Sequence, residues 1–217
     1  MVLKPAKLED RRVARTRNRL QDALVALIVE KGYDAITVQD ILDKADVGRS
    51  TFYAHFLDKQ DLLMGGLERL KAALAEQQQA ALKHPGTGQA RAGSGATKGR
   101  PFAFSLPMLL HVKSHHRLYK AFVGRQSGTM VMLHIQRILA DLARDEITAR
   151  VPAKTRNALS RIPIEAVVQS TVGAYLALLV WWMDHKAPCT AEELDAMFQR
   201  LVLPGITALE LQGSPAR

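Results

Sequence analysis

The sequence predicts an all-α chain in two parts: a three-helix head containing a helix-turn-helix, and a larger helical body. Three observations predict it. Apolar residues recur at the 3.6-residue period of a helix face in one segment after another. Aromatic residues are scarce, at 6%, while Ala and Leu abound. No run alternates apolar and polar residues in the manner of a strand.

The elements follow in order. Residues 1–12 carry Lys4, Lys7, Arg11 and Arg12 and little to bury, and read as a flexible basic tail. From Val13 a helical period begins, with Leu20, Ala23, Leu24, Leu27 and Ile28 on one face and Gly32 as its C-terminal cap. Thr37-Val38-Gln39-Asp40 resembles a capping box with Asp in the usual Glu position, opening a helix from about Val38 to Lys44. Ala45-Asp46-Val47-Gly48 is a tight turn, and Arg49 to His55 a second short helix. Asp58 to Asp61 repeats the cap pattern at the start of a helix reaching about Leu82.

Residues 84–101, HPGTGQARAGSGATKGRP, change character to Gly, Ala, Ser and Thr and predict a flexible loop. Helices are expected near 104–111, 114–123 and 127–149, with a break around Val151-Pro152. Two more follow at about 163–186 and 191–209, separated by Pro188 with Thr190 as a cap. The expected organisation is thus a tail over 1–12, a head over 13–60 and a body over 61–217.

Composition narrows the class of protein. With 47% apolar and 24% charged residues, the chain can bury a core of its own. The single cysteine, Cys189, precludes an internal disulfide, which suits a reducing compartment. The basic N-terminus lacks the apolar stretch of a secretory signal. The apolar run Val172 to Met183 is too short to span a bilayer. The expectation is a cytoplasmic protein with no membrane partner.

The net charge of +9 invites a polyanionic partner, but its placement is uneven. Residues 1–20 hold seven Lys/Arg against two acids, whereas 21–60 hold four against seven. From Gln77 to Ala140 there is no acid at all. That stretch, including Lys98 and Arg100, reads either as a solvated basic face or as one that meets an anion.

Two short helices joined by a tight turn and braced by a longer one form the unit that places its second helix in the major groove of DNA. Its second helix is GRSTFYAH, Gly48 to His55. Arg49 reaches guanine edges or phosphates, and Ser50 and Thr51 offer hydrogen bonds to phosphate or base. Tyr53 and His55 have polar tips at backbone distance, and Lys59 brings charge to a helix N-terminus. Phe52 and Phe56, four apart, are expected to face inward. An ordinary three-helix packing unit has the same shape, so these residues alone leave both readings open.

Residues 17–63 resemble the DNA-binding domain of the tetracycline-repressor (TetR) family. The text that matches is Glu30-Lys31-Gly32-Tyr33, Ile36 to Ile41, Ala45 to Phe56 and Lys59 to Leu63, all at fixed spacing. The resemblance implies that Thr37, Arg49, Ser50, Thr51, Tyr53, His55 and Lys59 lie on the DNA side. It implies that Tyr53, His55 and Lys59 hold phosphates while the start of the recognition helix reads bases. Asp46 departs from the small residue common there. Farther on, Gly173-Ala174-Tyr175, Trp181-Trp182, Pro188, Glu192-Glu193-Leu194 and Phe198 resemble the C-terminal domain of one TetR subgroup. The resemblance implies a homodimer through the last two long helices, a pseudo-palindromic operator, and release from DNA by a small-molecule effector. A helical dimerisation or ligand-binding protein whose head does not bind DNA is the alternative, favoured by the weak charge of residues 21–60.

Phe122, Met130, Tyr175 and Trp182, with Met132 and Trp181, either line an effector pocket or are plain core. His111 and His115 are spaced as a helical metal pair, with no carboxylate or cysteine nearby to complete a set. No metal site, cofactor or catalytic constellation is expected, and the chain does not read as an enzyme.

Overall fold

The computed structural model describes residues 5–83, 101–122, 126–150 and 162–212, and among them it is all helix and turn. The helices are α1 (Pro5–Lys31), α2 (Val38–Ala45), α3 (Arg49–Tyr53), α4 (Lys59–Lys83), α5 (Ser105–Ser114), α6 (His116–Phe122), α7 (Gln126–Arg150), α8 (Ile164–Asp184) and α9 (Ala191–Gln212). Residues 84–100 of the expected loop, and the expected break at Val151-Pro152, lie outside the described residues.

The first helix begins at Pro5, eight residues ahead of the expected start at Val13, so most of the expected tail is helical. Proline suits the first turn, where its missing N–H is not needed, and Ala6 to Arg12 contains no helix breaker. The chain divides into two compact units. One gathers the residues up to Leu70 with Arg117–Val131; the other gathers Lys71–His116 with the residues from Met132 onward. The division falls inside α4, beyond the 60/61 boundary read from sequence, where the helical spacing of Leu63, Leu67, Leu70 and Leu74 runs on without a break.

In the first unit, Leu20, Leu24, Leu27 and Ile28 of α1 are buried with Ile41 and Leu42 of α2, Phe52, Phe56, and Leu62 and Leu63 of α4. The buried Gln21 amide donates to the Leu62 carbonyl at 3.0 Å, joining α1 to α4. Gly66 makes that approach feasible: a Cβ there would lie 2.9 Å from Gln21 Nε2. Segment 117–131 joins this unit through the Tyr33 and Phe122 rings, 6.2 Å apart, and a 3.3 Å hydrogen bond from Ser127 to Asp34.

The second unit centres on Phe102, Phe104, Tyr175 and Phe198, whose ring centres lie 5.1–6.0 Å apart in tilted and edge-on pairs. Polar groups pin the segment that enters α5 into this core. The Phe102 N–H donates to Glu146 Oε1 at 2.6 Å, Gln199 donates to the Pro101 carbonyl at 2.7 Å, and Tyr175 donates to the Ser105 carbonyl at 2.8 Å. Ser105 also bonds the Asp195 carboxyl group. Phe102 is held at φ 49°, a left-handed conformation uncommon for a non-glycine residue. At the surface of this unit, Asp141 accepts from Lys71 at 2.6 Å and from Arg144 at 2.9 Å, and Arg144 also pairs with Glu165.

Helix α8 is longer than the apolar run read from sequence. Its 21 residues are long and apolar enough to cross a membrane by length and composition, and 28% of its most apolar window is buried. Val168, Thr171, Val172, Tyr175, Leu179 and Trp182 form its buried face. Ala166, Ser170, Gly173, Ala177, Val180 and Trp181, on other faces, are exposed.

Candidate nucleic-acid interface

The two short helices of the head are built by local hydrogen bonds. Thr37 caps α2: its hydroxyl accepts from the Asp40 N–H at 3.2 Å, and Asp40 accepts from the Thr37 N–H at 2.7 Å. The reciprocal box forms with Asp in place of Glu. Hydrogen bonds from Lys31 and Thr37 hold the Asp40 carboxyl below its ordinary range. The turn after α2 places Asp46 at φ 50°, ψ 55°. Aspartate tolerates this left-handed geometry better than most residues, so the departure at 46 suits the turn. Arg19 of α1 fastens it, reaching the Asp46 carbonyl at 3.2 Å and its carboxylate at 3.3 Å.

Helix α3 is anchored from beneath. Phe52 and Phe56 are buried with ring centres 6.0 Å apart, and the Arg17 guanidinium lies 5.2 Å from the centre of the Phe56 ring. Truncating a fully buried Phe to Ala costs about 3–5 kcal/mol, so this anchor matters to a five-residue helix that cannot persist alone. With the apolar side spent on the core, Arg49, Ser50, Thr51 and Tyr53 are exposed, and Thr37 is exposed on α2. Tyr53 is 51% exposed and rests edge-on against Phe52 at 5.3 Å. His55 is half-buried beside Phe56.

Lys59 has a second occupation. Its ammonium donates to the carbonyls of Ile36 at 2.7 Å, Tyr33 at 3.2 Å and Asp34 at 3.4 Å, and lies 4.7 Å from the centre of the Tyr33 ring. Burial, then the carboxylates of Asp58 and Asp34, push the Tyr33 phenol up to about 12, so it stays neutral at physiological pH. Asp58 caps α4, accepting from the Asp61 N–H at 2.7 Å.

Sequence reasoning missed two residues here. Gln39 accepts from Arg49 at 2.9 Å and so ties α2 to α3. Leu57, 82% exposed, follows directly on the recognition segment. A capping-box reading of Thr37 to Asp40 treats Gln39 as filler, and a lone exposed leucine carries no periodic signal.

The four candidate pocket residues divide between the two units. Phe122 and Met130 fall in the unit that holds the head, Tyr175 and Trp182 in the other. Phe122 is buried against Tyr33, and Met130 is half-buried. Tyr175 is enclosed by Phe104 and Phe198, and the Trp182 indole donates to the Cys189 carbonyl at 2.8 Å. A groove of 530 Å³ in the head unit is bordered by Lys31, Arg117 and Lys120 and by none of the four. His111 and His115 stack with ring centres 4.4 Å apart, and burial followed by the charge of His115 brings His111 down to about 4. No group of three metal-binding side chains occurs among the described residues.

The fold and the exposed short helix define a helix-turn-helix protein with a separate helical body. Residues 20–64 match the family described as bacterial regulatory proteins, tetR family. Among curated proteins it is 41% identical over 68 residues to the HTH-type transcriptional regulator YxbF of Bacillus subtilis, covering 31% of this chain and 18% of that one. It is 34% identical over 68 residues to the HTH-type transcriptional repressor KstR of Mycobacterium tuberculosis, covering 31% of each. The match thus spans under a third of either relative's length. Whole-chain likeness is structural. A TetR transcriptional regulator from Streptococcus agalactiae superposes with TM-score 0.59 at 23% identity, covering 91% of this chain and 98% of that one. A TetR-family regulator from Syntrophomonas wolfei gives 0.64 at 19% identity, covering 91% and 96%. RolR, crystallised with resorcinol, gives 0.52 at 17%, covering 95% and 96%.

Proposed function

We propose that the chain is a sequence-specific DNA-binding transcriptional regulator, a repressor that acts as a cytoplasmic homodimer on a pseudo-palindromic operator. The observation that carries this reading is the exposed polar set Arg49, Ser50, Thr51 and Tyr53 on a short helix whose apolar side is locked by Phe52 and Phe56. Base-edge reading falls to the start of that helix, and phosphate contacts to Tyr53, His55 and Lys59, with Thr37 beside them. The repressor KstR, similar over the head, supports the direction of regulation.

Dimerisation is supported by the apolar surface of the last two helices. Gly173, Val180 and Trp181 of α8 and Met197 and Leu201 of α9 are exposed in the single chain, and a second subunit covers them. The neighbour RolR, solved with resorcinol, supports a small-molecule effector. Tyr175 and Trp182 are the candidates in the body for contact with it, as Phe122 and Met130 are in the other unit.

A gel shift with the DNA upstream of the chain's own gene tests the central claim. Binding that survives competitor DNA and is lost in Tyr53→Ala supports it. No binding by the parent protein at low salt refutes it and favours a dimerising or ligand-binding role without DNA.

A further inference from the structure

We propose that Gln39 of α2 sets the base specificity of Arg49, holding its guanidinium so that it reads one base edge in each half-site rather than a phosphate. The inference rests on the DNA-binding reading above and names a residue to which that reading gives no part.

The geometry is a short directed chain. Gln39 Nε2 donates to Asp43 Oδ1 at 2.8 Å, and Gln39 Oε1 accepts from Arg49 Nη2 at 2.9 Å. Chemistry decides which end of the amide faces which partner. A carboxylate only accepts and a guanidinium only donates, so the amide nitrogen must face Asp43 and its oxygen Arg49. Asp43 sits one helical turn after Gln39, which fixes the amide plane with respect to α2. The helix is itself fixed by the Thr37–Asp40 box. Arg49 is thereby referred to two rigid elements, its own backbone on α3 and the amide on α2.

The pairing leaves Arg49 equipped to read. A guanidinium has five N–H donors, and the bond to Gln39 uses one. The rest include a pair suited to the O6 and N7 of guanine, the commonest specific contact in the major groove. Arg49, Gln39 and Thr37 are all exposed, so this hydrogen bond contributes little to folding. Its use is orientation. An unrestrained arginine satisfies phosphates in many geometries, whereas a bidentate base contact requires the planar fork in one.

The experiment selects binding sites from a pool of randomised duplexes with the full chain, then repeats the selection with four variants. Gln39→Met, close in shape but without an acceptor, loses preference at one position per half-site, by about ten-fold. Arg49→Met loses preference at that same position, and the double variant loses no more than Arg49→Met. Gln39→Glu keeps an acceptor for Arg49 but loses the donor to Asp43, and its preference at that position is weakened. The slope of affinity against salt and the thermal midpoint of Gln39→Met match the parent, which a purely structural brace would not allow. Unchanged preference in Gln39→Met, or loss at a position that Arg49→Met keeps, overturns the inference while the DNA-binding reading stands. A parent protein that binds no duplex overturns both.

Discussion

The ammonium of Lys59 donates to the carbonyl of Ile36 at 2.7 Å, across 23 residues of sequence. With its bonds to Tyr33 and Asp34, this side chain gathers the carbonyls of the link between α1 and α2 and ties them to the start of α4. Lys59→Met keeps the aliphatic stem and removes the donor. The expected loss is about 1–2 kcal/mol of head stability, since a charged donor serves these carbonyls in a half-buried place. Urea unfolding measures it. A variant that loses DNA affinity with unchanged stability assigns Lys59 to phosphate alone.

The capping box makes a pH prediction. Lys31 and Thr37 hold the Asp40 carboxyl below its ordinary 3.8. A depressed carboxylate pKa contributes stability that is present above the unfolded value and lost as pH falls below it. Asp40→Asn is therefore less stable than the parent at neutral pH, and the difference shrinks as pH drops below 3.8. Thermal midpoints at pH 7 and pH 3 check this. Thr37→Ala removes the other half of the box and costs about 1 kcal/mol.

His111 acts in the same direction over a different window. Its folded pKa is down to about 4, against 6.5 for the free side chain. Protonation favours the unfolded chain, so the contribution is complete above 6.5 and is lost as pH falls from 6.5 toward 4. His111→Phe keeps a ring against His115 and removes the titration. Its stability profile is expected to be flatter across that window, by denaturant unfolding at stepped pH.

Gly128 lies where α7 starts close to the end of α6. A Cβ there would come 1.9 Å from the Phe122 carbonyl oxygen, a backbone atom that cannot swing aside. Gly128→Ala is expected to destabilise the protein by about 1–3 kcal/mol despite the better helix propensity of alanine. An unchanged melting temperature would contradict this packing.

Leu201 is 68% exposed on α9, so a charge there costs the single chain little. Leu201→Asp is expected to keep the helical content of the parent and to halve its sedimenting mass. A parent that sediments as a monomer refutes the proposed dimer.

Most of the fold was legible in the sequence. The helices at 126–150, 164–184 and 191–212 fall within a few residues of the expected spans. The Thr190 cap forms as read, with its hydroxyl accepting from the Glu193 N–H at 3.1 Å. Phe52 and Phe56 face inward, as their spacing requires. The early start at Pro5 escapes an apolar-periodicity reading because the mostly polar stretch Pro5 to Arg12 carries no such period. Joining Arg117–Val131 to the head unit was equally out of reach, since the Tyr33–Phe122 contact links residues 89 apart in sequence.

The sequence by itself determined where the helices lie, how they are capped and which faces are apolar, because those properties depend on residues three or four apart. It also carried the family text around the recognition helix. Only the tertiary structure decided that Lys59 serves the carbonyls of residues 33–36, that Arg19 fastens the Asp46 turn, and that Gln39 holds Arg49. A hydrogen bond reaches about 3 Å, and which groups come within that reach is set by how the chain folds back on itself, not by their spacing along it.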